Sequence, residues 1–116
     1  MKRGEEKIYL KIARALEDDI ISGLIREHEL VPSTHQYAAH YGVNPATAAK
    51  GVSILHTAGL LYKKRGVGLY VSEGARDIIQ GERREEFKEN FIVPMIDEAY
   101  KVGVSKRDLV AMIMAD

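Results

Sequence analysis

Lys63, Lys64 and Arg65 stand in a row, and Gly66, Val67 and Gly68 follow them directly. Three cations beside Gly-x-Gly suit contact with anionic oxygens, because the glycines permit a tight turn and close approach of backbone to a ligand. On duplex DNA such a tip would meet phosphates, or pass an arginine into the negatively charged minor groove. The plain alternative is a solvated hairpin tip. A nucleotide-binding enzyme loop fits less well, since no helix and no lysine–threonine pair follow the glycines. A second set is Asn44, Pro45, Ala46, Thr47 and Lys50. Asn and Lys can hydrogen-bond to base edges, while Ala46 and the Thr47 methyl can touch thymine methyls. Ala46 and Ala49 offer no hydrogen bonds, so direct readout is expected to be sparse.

The charge map bears on the same residues. Residues 30–72 hold four Lys or Arg (Lys50, Lys63, Lys64, Arg65), and all 17 acidic residues lie outside that window. The net charge of +0 is therefore the sum of a basic module and an acidic remainder. A phosphate-contacting surface needs such depletion, since each carboxylate on it would repel the backbone. No Ser-His-Asp or Cys-His arrangement is present, and the acids do not converge with His35 or His40, so no enzyme is expected. With no cysteine, disulfides and thiolate metal sites are impossible. The four histidines, His28, His35, His40 and His56, contain no i, i+4 pair, and neither a metal nor a cofactor is expected.

The elements that must position these groups follow from patterns along the chain. Ile8, Ile12, Leu16 and Ile20, with Ala13, Ile21 and Leu24 beside them, predict an amphipathic helix over 5–22 that stops at Gly23. Leu30 and Val31 predict an extended segment before Pro32. Ser33 and Gln36 form a Ser-x-x-Gln capping box for a helix over 34–41, closed by Gly42. Ser33 has two readings, a cap worth about 1 kcal/mol or a phosphate ligand at a helix N-terminus, and both can hold. Tyr37, Ala38 and Tyr41 read as packing residues, and His40 as solvated. Asn44 caps the next helix, with Pro45 at its first position. Ala48, Val52 and Leu55 give it a buried stripe, from which Asn44, Thr47 and Lys50 are displaced. Gly51 in mid-helix costs about 1 kcal/mol against Ala, which points to close packing on a neighbouring helix. Residues 60–63 and 69–72 read as strands joined by 64–68.

These residues carry a resemblance. Pro32 and Ser33, Ala38, the run Gly42, Val43, Asn44, Pro45, then Thr47, Leu55, Gly59 and Leu60, and the wing Arg65, Gly66, Val67, Gly68 with Val71 resemble the winged helix-turn-helix of the GntR family of bacterial transcription regulators. With the short helical tail, nearly the whole chain is similar to the YtrA-type subfamily. The resemblance implies a mostly α fold with a small β-hairpin, in which the first helix supports the helix-turn-helix. A winged helix-turn-helix domain over 1–73 is expected, then a helical dimerisation tail over 74–116. It implies sequence-specific binding to double-stranded DNA, most simply by a homodimeric repressor reading a palindromic operator through helix 44–58 and wing 63–70. The implied DNA contacts are Ser33, Thr34, His35, Asn44, Pro45, Ala46, Thr47, Lys50, Lys63, Lys64, Arg65, Gly66, Val67 and Gly68. His35 departs from the family, which commonly places an arginine there. An imidazole cannot make the bidentate guanidinium grip. The competing reading is a winged-helix module that binds protein instead of DNA.

After Gly74 the composition shifts. Residues 75–101 predict a charged helix with an apolar stripe of Phe87, Phe91, Ile92, Met95, Ile96, Ala99 and Tyr100. Pro94 implies a kink or a fresh helix start near Asn90. Ser105 caps a last helix, with Asp108 three residues on and Val104 against Leu109. A helical pair this short cannot form a core alone, so Phe87, Phe91, Met95, Ile96 and Tyr100 are expected at a homodimer interface, with packing inside one chain as the alternative. A small-molecule effector, if one exists, would lie between tail and DNA-binding half. At 116 residues the chain holds one modest core, and no run of eighteen apolar residues or signal region is present. A cytoplasmic protein with no membrane partner is expected.

Overall fold

A computed structural model describes residues 7–115 in two compact units, the first ending at Ile79 and the second beginning at Gln80. Helix α1 (Ile8–Ser22) buries Ile12, Leu16 and Ile20 of the period-four stripe, with Ala13 beside them, and leaves Ile8 half-buried. It starts after Lys7, and the earlier part of the expected span, residues 5 and 6, lies outside the described residues. Gly23 ends it in a left-handed conformation. That turn takes Leu24 off the helical period, and the side chain is 73% exposed instead of sitting beside the stripe.

The next two helices are built at their first residues. Before α2 (Thr34–Tyr41), the Gln36 N–H donates to Ser33 Oγ at 3.1 Å and the Ser33 N–H to Gln36 Oε1 at 2.7 Å, a complete capping box. Before α3 (Pro45–Thr57), the Thr47 N–H donates to Asn44 Oδ1 at 2.8 Å. Gly51 sits where α1 and α3 touch: a β-carbon there would lie 2.7 Å from the Tyr9 carbonyl oxygen and 3.0 Å from Ile12 Cβ. Ala48, Val52 and Leu55 bury against this seam, and with Ile12, Leu16, Ile20, Val71 and Ile79 they form one core. Tyr37 is buried there with its hydroxyl unpartnered, and burial, helped by Asp19 and Tyr41, pushes the phenol well above the usual tyrosine range.

Strands β1 (Leu61–Lys64) and β2 (Gly68–Val71) pair antiparallel, Leu61 opposite Val71, Tyr62 opposite Tyr70, Lys63 opposite Leu69 and Lys64 opposite Gly68. Each lies one residue from the expected span. The Leu60 N–H closes the end of α3 on Leu55 O, and pairing of Lys64 with Gly68 tightens the turn to Arg65, Gly66 and Val67. Residues 28–31 run along the other edge of β2: His28 and Val31 donate to Val71 O and Leu69 O, and Glu29 O accepts from Val71.

Helix α4 (Ala75–Phe87) begins in the first unit, where Ala75 and Ile79 are fully buried. The compact unit thus runs past the composition shift that follows Gly74. A π-turn (Lys88–Ile92) leads into α5 (Val93–Lys101), and α6 (Lys106–Met114) follows a Ser105–Asp108 capping box. Pro94 explains the π-turn. It has no N–H for the Asn90 carbonyl, and the chain widens just before it, with Val93 N–H reaching back five residues to Lys88 O.

Candidate nucleic-acid interface

One groove gathers residues from the start of α2, from α3 and from the hairpin tip. Its volume is about 220 Å³, and its walls include Ser33, Thr34, Gln36, Val52, Val67 and Gly68. The sequence-predicted groups Ser33 and Thr34 are thus brought to the same place as the glycine-tipped turn. Ser33 Oγ accepts a hydrogen bond as a cap, but its own proton remains free to donate outward. The N–H groups of the first turn of α2 add partial positive charge at this end of the groove. His35 is exposed on the same turn.

Along α3 the separation expected from the sequence is present. Ala48, Gly51, Val52 and Leu55 are buried, while Asn44, Pro45, Ala46, Ala49 and Lys50 are exposed and Thr47 is half-buried. Asn44 Oδ1 accepts from the Thr47 N–H, which leaves its amide nitrogen free to donate to a base. Thr47 keeps its methyl and hydroxyl beyond the cap.

The three consecutive cations of the hairpin do not share a face. Side chains alternate along a strand, so Lys63 lies with Leu61, Leu69 and Val71, the side that enters the core. Lys64 lies on the opposite side, its Nζ 5.0 Å from the centre of the Tyr70 ring, which stacks on Tyr62 at 5.7 Å. Arg65 and Val67 flank Gly66 at the tip, all three exposed. No carboxylate among the described residues pairs with Lys50, Lys63, Lys64 or Arg65. The acids that border the acid-free window have other partners: Glu29 accepts the Arg26 N–H at 2.7 Å, and Glu73 lies 3.5 Å from His28, whose Nδ1 meets the Tyr62 hydroxyl at 3.1 Å.

The sequence reading missed Tyr9. Its ring lies under Lys50, with Nζ 4.2 Å from the ring centre. The signal was available in Gly51: a glycine that admits a neighbouring helix also admits that helix's side chains to the adjoining residue.

In the second unit Phe87, Phe91, Met95 and Tyr100 are exposed and Ile96 is half-buried, with the two phenylalanine rings 5.8 Å apart. Among its described residues Ala99 is the only buried hydrophobic side chain. No helix among the described residues is long and apolar enough to cross a membrane.

Comparison with known proteins places this arrangement. The chain is 26% identical over 107 residues to the HTH-type transcriptional repressor YtrA of Bacillus subtilis (strain 168), which covers 92% of this chain and 82% of that protein. A crystal structure described as a GntR-family transcriptional regulator from Bacteroides thetaiotaomicron superposes with a TM-score of 0.78 at 30% identity, over 93% of this chain and 94% of that one. AraR(DBD), solved in complex with operator ORX1, has the same fold over 62% of this chain and 87% of its own, with a TM-score of 0.58 at 24% identity. The sequence profile of bacterial regulatory proteins of the gntR family matches residues 8–71, the whole span from α1 to the end of the hairpin. The chain therefore belongs to the GntR family of regulators, and its helix-turn-helix and wing are those of a DNA-binding transcription regulator.

Proposed function

We propose that the protein is a homodimeric repressor that reads a palindromic operator through helix 44–58 and wing 63–70. The observation that carries this reading is the shared groove, in which the N-terminus of α2 and the glycine turn of the hairpin meet within a stretch of chain free of carboxylates. Ser33, Thr34 and His35, with Lys63, Lys64, Arg65, Gly66, Val67 and Gly68, contact phosphates or the minor groove and set the register. Asn44, Pro45, Ala46, Thr47 and Lys50 face the major groove and supply what base reading there is. Phe87, Phe91, Met95, Ile96 and Tyr100 join two copies, which sets two recognition helices about one DNA turn, ~34 Å, apart. Two relatives support the reading: YtrA is a repressor, and AraR(DBD), which has the same fold, has been seen on an operator.

The test is enrichment of duplexes from a random pool, followed by footprinting and binding across a salt series. The expected result is a two-fold symmetric protected site, with affinity falling steeply as salt rises, by about 0.9 in log–log slope per phosphate neutralised. Transcription from a promoter carrying that site should fall when the protein is added. Failure to enrich any duplex, or affinity indifferent to salt, would point to the protein-binding module instead.

A further inference from the structure

Lys50 is the one Lys or Arg of α3, and its ammonium lies over an aromatic ring. Its Nζ lies 4.2 Å from the centre of the Tyr9 ring, in the first turn of α1, and Lys7 Nζ lies 6.0 Å from the same ring. The cause is the neighbouring residue. Gly51 lets α1 approach until the Tyr9 carbonyl oxygen occupies the space a side chain would need, and that contact delivers the half-buried Tyr9 ring to Lys50. No carboxylate among the described residues pairs with Lys50, and the ring is the contact that orients its charge. A lysine free in water loses rotamer freedom when fixed in a contact, and a ring already restricting the stem removes part of that loss. An ammonium has three donors, and those turned away from the ring remain available to a phosphate or a guanine edge.

We propose that Tyr9 is a positioning residue for DNA binding, presetting Lys50 so that the first turn of α1 belongs to the DNA-reading surface. This rests on the reading of Lys50 as a DNA contact. The ring is the operative feature, since its quadrupole attracts the cation and its bulk limits where the lysine stem can go.

The test uses the full chain, with a random-sequence duplex pool and the best duplex enriched from it as probes. Tyr9→Leu keeps apolar bulk and removes the ring; Tyr9→Phe keeps the ring. The expected loss for Tyr9→Leu is about two- to fivefold, the span of an exposed cation–π contact, with Tyr9→Phe indistinguishable from the parent. In a Lys50→Ala background Tyr9→Leu should cost nothing further. In the parent, NMR should show the Lys50 ε-methylene protons shifted upfield by the ring, and the shift should persist when duplex is added. That last measurement needs no variant and stands even where Tyr9→Leu unfolds. Equal losses for Tyr9→Phe and Tyr9→Leu, additive losses with Lys50→Ala, tighter binding by Tyr9→Leu, or disappearance of the upfield shift on DNA each overturn the proposal. Lys50→Ala binding like the parent, while Arg65→Ala binds weakly, overturns it and leaves the DNA-binding reading intact. No binding by the parent to either probe removes both.

Discussion

Asn44 commits its side-chain oxygen to the helix it begins, and that divides its usefulness. Replacement by alanine removes the cap, worth about 1 kcal/mol, together with any base contact, so a loss of DNA binding in that variant would be ambiguous. Aspartate separates the two. It caps as well as asparagine, and its charge at a helix N-terminus adds about 0.3–1 kcal/mol. It also introduces a carboxylate into a stretch that has none over residues 30–72. Two like charges about 4 Å apart repel by about 1 kcal/mol even in water, and by more where water is excluded. Asn44→Asp should therefore melt at or slightly above the parent temperature while binding duplex DNA about five- to tenfold more weakly at low salt. Calorimetry and a binding titration check the two halves. Unchanged affinity would remove the N-terminus of α3 from the interface.

At the scale of elements, what was legible in the sequence was local. Both capping boxes and the Asn44–Pro45 start need only residues a few positions apart, and each is present as read. What depends on pairing between strands was less legible. The strand limits moved by one because the register, from Leu61 opposite Val71 to Lys64 opposite Gly68, set the turn, and with Lys64 inside the strand the run of cations divided between two faces by alternation. The π-turn follows from Pro94, but a proline alone does not distinguish a kink from a widened turn. Gly51 stood between these cases: its type signalled a close helix contact, and only the structure identifies Tyr9 and Ile12 as what it contacts. Two mid-helix glycines now make opposite predictions. Both would gain about 1 kcal/mol of helix propensity on becoming alanine. At Gly81 the added carbon meets nothing within 4 Å, so Gly81→Ala should be stabilising by most of that amount. At Gly51 it would meet a backbone oxygen at 2.7 Å, which cannot rotate away, and α1 must shift. Overpacking of this kind costs about 1–3 kcal/mol, more than the propensity gain, so Gly51→Ala should melt lower than the parent. Denaturant titration of the two variants side by side decides it, and Gly51→Ala more stable than the parent would show that α1 and α3 do not approach this closely.

At the scale of the whole molecule, the second unit poses a question its own residues do not answer. Phe87 is 54%, Phe91 64% and Tyr100 86% exposed, and Val110, Met112, Ile113 and Met114 are exposed as well. Short helices gain most of their stability from burying an apolar face, and these bury little of theirs in one chain. A second copy of the same chain is the partner that the proposed function supplies, because a symmetric operator requires two reading heads. Phe91 tests this with little risk to the fold, since an exposed side chain can become charged without disturbing the core of Ile12, Leu16 and Leu55. Phe91→Arg should sediment as a monomer at concentrations where the parent is a dimer, with its helix content retained. The effect on DNA should depend on the probe. On a single half-site the variant and the parent should bind alike, apart from a small gain from the added positive charge. On two half-sites the parent's second contact is made at millimolar effective concentration, and losing that linkage should cost about a hundredfold. A Phe91→Arg variant that remains dimeric, or that loses affinity equally on both probes, would move the dimer interface away from this face and leave the exposed phenylalanines unexplained.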